Sequence, residues 1–92
     1  MNVTIANVTF DRVRYDAESD VLYLHNAEPS DAVRFDESPE GHHLRFDRTG
    51  RLVGITIVNP RWLLENEGEV SITLPERISL DRRSLNAALS AA

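Results

Sequence analysis

The sequence predicts an α+β fold, with an antiparallel β-sheet built from two similar β-hairpins plus a late strand. Three observations predict it. Residues 13–29 and 44–60 repeat one pattern at a constant offset of 31 positions. Residues 70–74 alternate apolar and polar side chains, as a half-buried strand does. The last residues carry a narrow apolar stripe at helical spacing. We therefore expect one domain over residues 1–92, with a short helix after the second hairpin and a C-terminal helix packed on the sheet.

The repeat consists of two matched segments. Arg-Tyr-Asp at residues 14–16 corresponds to Arg-Phe-Asp at residues 45–47, and a short turn follows in each copy. Apolar residues then resume, and each copy ends on a proline, Pro29 or Pro60, which cannot donate to a β-ladder. Two alternating segments joined by a short polar turn predict a β-hairpin, so the chain contains two of them.

The neighbouring elements are predicted from alternation and from capping residues. Residues 3–5 predict a short leading strand, and residues 32–35 predict a third strand between the hairpins. Asn59 and Pro60 predict a helix start, because Asn can accept a free N–H at the cap and Pro is tolerated at the first helical position. Gly68 is expected to end this helix.

The C-terminal segment predicts a strand followed by a helix. Pro75 ends the alternating late strand. Asp81 is a plausible helix cap, with Leu80 and Leu85 placed as a hydrophobic staple around it. The stripe that would lie on the sheet comprises Leu85, Ala88 and Leu89.

The register of the two hairpins decides which side chains share a face. Even-length loops pair apolar residues with each other: Tyr15 with Leu22, Val13 with Leu24, Phe46 with Val53, and Leu44 with Ile55. An odd-length second loop would set Phe46 against Leu52 and bury less apolar surface. The predicted core face is Val13, Tyr15, Leu22, Leu24, Leu44, Phe46, Val53, Ile55 and Ile57.

The opposite face carries the side chains that could bind a ligand or a partner. Three readings stay open for it: an ordinary solvated face, a protein interface, or a site that binds a small ligand or anion through bidentate hydrogen bonds. The candidate binding residues are Arg14, Tyr23, His25, His43 and Arg45. The whole predicted face is Arg12, Arg14, Tyr23, His25, His43, Arg45, Leu52, Thr56 and Val58.

Composition narrows the classes of function. The formal net charge is -5, which disfavours a nucleic-acid partner. The chain has no cysteine, so disulfides, thiolate metal sites and cysteine nucleophiles are excluded. No apolar run is long enough to span a membrane, and the first residues lack the pattern of a signal peptide. We expect a cytoplasmic protein with no membrane partner.

The hairpin residues resemble a known family. Tyr15-Asp16, Asp20 and Leu22-Tyr23, followed by Asp47, Gly50 and Gly54-Ile55-Thr56, resemble the small bacterial proteins grouped as domain of unknown function 2283, over roughly residues 13–60. The resemblance implies a compact β-rich domain and no assigned activity. Thr56 stands where a glutamate is usual in that pattern.

Little in the sequence indicates catalysis. Asp16, Asp20 and Asp47 are expected to cap their own turns. His42 and His43 are adjacent on a strand and point to opposite faces, which makes them a poor chelating pair. Gly54 marks a bulge or a close approach by another backbone. Trp62 is expected to cover the core.

We therefore expect a non-enzymatic interaction or regulatory module. It would self-associate as a homodimer, or hold another protein, through the outer sheet face or an edge strand. The alternative is a small-ligand or anion-binding protein, conceivably an enzyme, that uses the candidate binding residues. Neither a cofactor nor a metal ion is expected.

Overall fold

The fold combines antiparallel sheets with two short helices, which confirms the predicted α+β class. The computed structural model describes residues 1–26 and 31–91. Pro29, predicted to end the first repeat, lies outside them. In chain order the strands are β1 (Val3–Ile5), β2 (Val8–Phe10), β3 (Arg12–Asp16), β4 (Val21–His25), β5 (Arg34–Glu37), β6 (His43–Phe46), β7 (Leu52–Val58), β8 (Val70–Thr73) and β9 (Arg77–Leu80). Helix α1 is Pro60–Glu67, helix α2 is Arg82–Leu85, and a 3-10 turn covers Ala88–Ser90.

The two predicted hairpins and the third strand form one sheet. Its strand order is β3-β4-β7-β6-β5, so the long strand β7 is central and joins the two hairpins. The third strand lies two residues later than predicted and pairs with β6. Two separate hairpins, β1-β2 and β8-β9, complete the fold. Strands β2 and β9 were not predicted. A two-residue turn joins β1 to β2, and its residues Ala6 and Asn7 both have the positive φ that such a turn requires.

The turns form because their side chains and backbones supply the bonds that they need. The Asp16 carboxylate accepts from the N–H groups of Glu18 and Ser19, and the Asp47 carboxylate accepts from those of Thr49 and Arg51. These bonds confirm the turn-capping role predicted for both aspartates. Hydrogen bonds that favour the charged carboxylate lower the pKa of Asp16, with Ser19 the largest cause.

The register of the first hairpin is as predicted, and that of the second is predicted only in part. Tyr15 pairs with Leu22 and Val13 with Leu24. In the second hairpin Leu44 pairs with Ile55, but a bulge near Arg45 and Phe46 shifts the rest, so Phe46 pairs with Leu52 and not with Val53. Leu52, expected on the outer face, is half-buried and packs against the core.

The core lies on one side of the main sheet. Tyr15, Leu22, Leu24, Ile55 and Ile57 join the new hairpins, α1 and the C-terminal segment in one cluster. Val53, predicted on the core face, is buried but lies outside this cluster, because the bulge interrupts the alternation of β7 beside it. Leu85 and Ala88 belong to it, which places the C-terminal helical segment against the sheet as predicted. Trp62 is 54% exposed and lies outside the core cluster, so the expectation that it covers the core is wrong. The cluster comprises Val3, Ile5, Phe10, Tyr15, Leu22, Leu24, Leu44, Ile55, Ile57, Leu64, Val70, Ile72, Leu80, Leu85 and Ala88.

Helix α1 is capped from a distance. The helix starts at Pro60 with Asn59 at the cap position, as predicted. Asn59 has φ 59° and its side chain makes no cap hydrogen bond, so the bonding role predicted for it is wrong. The Asp20 carboxylate accepts instead from the N–H groups of Arg61 (3.0 Å) and Trp62 (3.1 Å), which are the donors that a cap residue satisfies. It also accepts from the Tyr15 hydroxyl at 2.7 Å. Asp20 therefore ties the first hairpin to α1.

The end of α1 and the start of α2 are capped by the residues that the sequence predicts. Gly68 ends α1 in a left-handed conformation, φ 79°, and its N–H donates to the Leu64 carbonyl. The Asp81 carboxylate accepts from the Ser84 N–H at 2.8 Å and caps α2. None of the helices in the described part of the chain is long and apolar enough to cross a membrane.

Candidate interaction surface

The structure brings the five candidate residues together on the outer face of the main sheet. We call this surface the outer face. Strand pairing arranges it in two rows, because residues opposite each other share a face. One row runs Arg12, His25, Gly54, Arg45, Phe35, and the other runs Arg14, Tyr23, Thr56, His43, Glu37.

The side chains of the outer face are fixed by their neighbours across the strands. The Arg14 guanidinium lies 4.7 Å from the centre of the Tyr23 ring, a cation–π contact. Arg45 Nη1 donates to Thr56 Oγ1 at 2.9 Å, and Thr56 is only 6% exposed. A neutral hydroxyl thus accepts from Arg45 where the family resemblance has a glutamate. Both arginines hold positive charge on a rigid β-surface.

Gly54 explains how the rows pack so closely at the centre of the sheet. A Cβ atom at this position would lie 2.9 Å from Cδ2 of the His25 ring and 3.4 Å from the Leu24 carbonyl oxygen. Gly54 pairs with His25 on one side and with Arg45 on the other. The predicted bulge lies nearby, but the closest approach comes from this chain's own His25 ring.

The β5 side of the outer face carries exposed apolar side chains. Phe35 is 67% exposed and Val33 is 55% exposed, and all four residues of β5 are exposed. Arg34 on the other side of the strand stacks over Phe46 at 4.2 Å. Large exposed apolar side chains on a strand mark an interaction surface more often than isolated ones elsewhere do.

The two edges of the main sheet differ. The edge at β3 is partly covered, because the Tyr15 N–H donates to the Ala91 carbonyl at 2.8 Å. The edge at β5 pairs only with β6 within the described residues. Unpaired backbone groups on an exposed edge form a template for another strand. Sequence reasoning proposed an edge strand without identifying it, and the structure shows that β5 is the open one.

His42 is a buried polar residue that sequence reasoning did not select. It is 1% exposed, whereas neighbouring His43 is exposed, so the prediction that they point to opposite faces is confirmed. His42 Nδ1 accepts from the Val58 N–H at 3.1 Å, which requires the neutral ring with its proton on Nε2. Nε2 is buried and makes no hydrogen bond of normal geometry. The nearby Ser71 backbone nevertheless favours the protonated ring and so acts to raise the pKa of His42.

The surroundings of His42 form a small polar cavity. Burial is the largest cause that lowers the pKa of His42, and the neighbouring Glu40 carboxylate opposes it. Glu40 itself is held by hydrogen bonds from the N–H and hydroxyl of Thr73. The cavity has a volume of about 260 Å³ and is lined by Glu40, His42, Leu63, Glu67, Ser71 and Arg77.

Clusters of metal-binding side chains are absent from the described residues. No set of three or more histidine, cysteine, aspartate or glutamate side chains in residues 1–26 and 31–91 is arranged to hold a metal ion.

Comparison with known proteins places the chain in a family. A family model described as Protein of unknown function (DUF2283) matches residues 12–60, which is more than half of the 92 residues. The matched segment covers the five strands of the main sheet and the start of α1. Comparisons with curated proteins and with solved structures gave no match. The chain therefore belongs to the DUF2283 family.

Proposed function

We propose that this chain is a bacterial, cytoplasmic, single-domain interaction module that is not an enzyme and that self-associates through the β5 side of its sheet. One observation carries the proposal. Strand β5 is exposed along its whole length and presents Phe35 beside an edge that no strand of the described residues pairs with. Pairing this edge with a second copy would satisfy its backbone groups and bury Phe35.

The contrast between the two sheet edges supports the choice of β5. The β3 edge is partly covered by the C-terminal segment of the same chain. Natural proteins blunt open edges or pair them. Strand β5 has only four residues, so the interface should be small. We therefore expect a dimer that forms only at high protein concentration and is weaker than dimers with interfaces of standard size.

Sedimentation velocity across a wide range of protein concentration tests the proposal. We expect the parent chain to shift from monomer to dimer as concentration rises, and Phe35→Ser to need a concentration about tenfold higher, because it loses the buried ring. Trp62→Ser is the matched control, because it removes another exposed aromatic side chain on α1. A parent chain that stays monomeric at every concentration contradicts the proposal.

A second variant separates β5 from the rest of the outer face. Arg14 and Tyr23 lie on β3 and β4, at the opposite side of the sheet. The double substitution Arg14→Ala with Tyr23→Ala should therefore leave the dimer intact. Loss of the dimer in this variant would move the interface to the β3 and β4 side of the outer face and would reject the β5 edge.

A further inference from the structure

We propose that two copies pair their β5 strands antiparallel around a two-fold axis at Phe35, which joins the two sheets into one continuous sheet. This inference rests on the proposed self-association and adds its register. The register follows from the direction of the backbone groups on β5 and from the charges of its side chains.

The first step identifies which residues of β5 face the open edge. The Ser38 N–H donates to the His42 carbonyl at 2.8 Å, just before the turn that joins β5 to β6. Backbone groups alternate in direction along an antiparallel ladder, so Ser38, Asp36 and Arg34 bond toward β6. The alternation ends at Val33, whose N–H also donates to the Phe46 carbonyl at 2.9 Å. Phe35 and Glu37 consequently direct their backbone N–H and C=O groups outward.

The second step restricts the position of the axis. In an antiparallel pair, a residue whose backbone bonds toward the partner strand must lie opposite another such residue. The two-fold axis therefore passes beside a residue and not between two residues. The Glu37 N–H already donates to the Asp36 carboxylate at 2.8 Å, so the Phe35 N–H and C=O are the pair left for a reciprocal ladder.

The third step uses charge. An axis at Phe35 places Arg34 opposite the partner's Asp36 and, by symmetry, Asp36 opposite the partner's Arg34. An axis at Asp36, Arg34 or Glu37 would place identical charges directly opposite each other, which is destabilising. The Phe35 axis also sets the two exposed Phe35 rings against each other on the outer face, where an aromatic pair is favourable.

Charge-swap variants test this register. Arg34→Asp creates two like-charge pairs across the axis, and so does Asp36→Arg. Each variant alone should weaken dimerisation by about tenfold, since two pairs change sign at once. An equimolar mixture restores Asp opposite Arg at both positions, so we expect heterodimers about as tight as the parent dimer. Glu37→Arg, which has no charged residue opposite in this register, is the matched control and should dimerise like the parent.

A cysteine variant tests the register without changing charge. The chain contains no cysteine, so Phe35→Cys introduces a single thiol. Directly paired residues have Cα atoms about 5.5 Å apart, within the range that a disulfide spans. Under mild oxidation, at concentrations where Phe35→Ser still dimerises, we expect a covalent dimer from Phe35→Cys and none from Glu37→Cys, whose two copies lie several residues apart along the ladder.

The outcomes separate the register from the self-association on which it rests. A monomeric parent chain rejects both. A dimeric parent with no effect of either charge swap, no covalent capture at position 35, or capture at position 37 rejects the register alone. Thermal unfolding of each variant, measured at concentrations where it is monomeric, shows whether it still folds. This control matters for Arg34→Asp, which also removes the stacking of Arg34 on Phe46.

Discussion

Asp20→Ala is the substitution with the largest stability effect expected from the local contacts described above. Its carboxylate satisfies the N–H groups of Arg61 and Trp62 and the hydroxyl of Tyr15. Loss of a helix cap costs about 1 kcal/mol. Loss of the Tyr15 partner costs about 1 kcal/mol more. Asp20 also has φ 54°, a conformation that disfavours alanine by about 1 kcal/mol. We expect a total of about 3 kcal/mol in the free energy of unfolding.

Urea unfolding, followed by the fluorescence of Trp62 on α1, measures this loss. Asp20→Asn should cost about 1 kcal/mol, because asparagine tolerates the left-handed conformation and keeps one acceptor oxygen. Asp16→Ala is the matched control, since Asp16 bonds only within its exposed turn among the contacts described. If Asp20→Ala costs no more than Asp16→Ala, the reasoning that α1 is anchored through Asp20 is refuted.

The ionisation of Tyr15 gives an independent measurement of the same contact. Burial, followed by the hydrogen bond to Asp20 and its charge, raises the pKa of Tyr15 to about 12. Asp20→Asn removes the charge and leaves the burial, so the ultraviolet titration of Tyr15 should move toward 10 without reaching it. The folded pKa exceeds the unfolded one, so Tyr15 contributes stability that is present below pH 10 and is lost as pH rises toward 12.

Two further predictions concern buried positions of the sheet. Gly54→Ala should lower the free energy of unfolding by about 1–3 kcal/mol, because its Cβ would meet the His25 ring at 2.9 Å. Adding His25→Ala should recover part of this loss, as measured by thermal unfolding. If the losses of the two substitutions are fully additive, the contact is contradicted. Burial lowers the pKa of His42 from 6.5 in the folded state, so the unfolded state binds a proton at a higher pH than the folded state does. The free energy of unfolding should therefore fall as pH decreases below 6.5, by at most about 1.4 kcal/mol per pH unit. His42→Asn should remove this slope and exposed His43→Asn should keep it; the opposite result would assign the slope to another group.

The part of the fold that sequence predicts well is the part governed by local alternation. The first hairpin follows the predicted pairs because its turn joins Asp16 to Val21 through four residues, which is the even loop length that the prediction assumed. The second hairpin has one pairing register next to its turn and another beyond the bulge. Its turn closes between Asp47 and Arg51 with Gly50 in a left-handed conformation, which sets an odd-length loop and pairs Phe46 with Leu52. The bulge then restores the apolar pairing of Leu44 with Ile55.

The features that sequence did not predict depend on contacts between distant segments. Asp20 lies 41 positions before Arg61, so nothing local distinguishes it from the other turn aspartates. His42 accepts from Val58, and its burial depends on residues packed from α1 and β8. For the candidate surface, alternation was enough to place five residues on one face. The identity of the open edge required the strand order, which no single strand encodes.

The family motif and the proposed interface serve different purposes. Tyr15 and Asp20 belong to the residues that carry the family resemblance, and here they join the first hairpin to α1. Their contacts therefore stabilise the fold of this chain. Strand β5 lies inside the matched range, yet Arg34, Phe35 and Asp36 are outside the repeated hairpin pattern. In the proposed dimer, substitution on β5 would change the pairing while the Tyr15 and Asp20 contacts keep the fold. Charge swaps at Arg34 and Asp36 should accordingly alter assembly far more than unfolding, and Asp20→Ala should do the reverse.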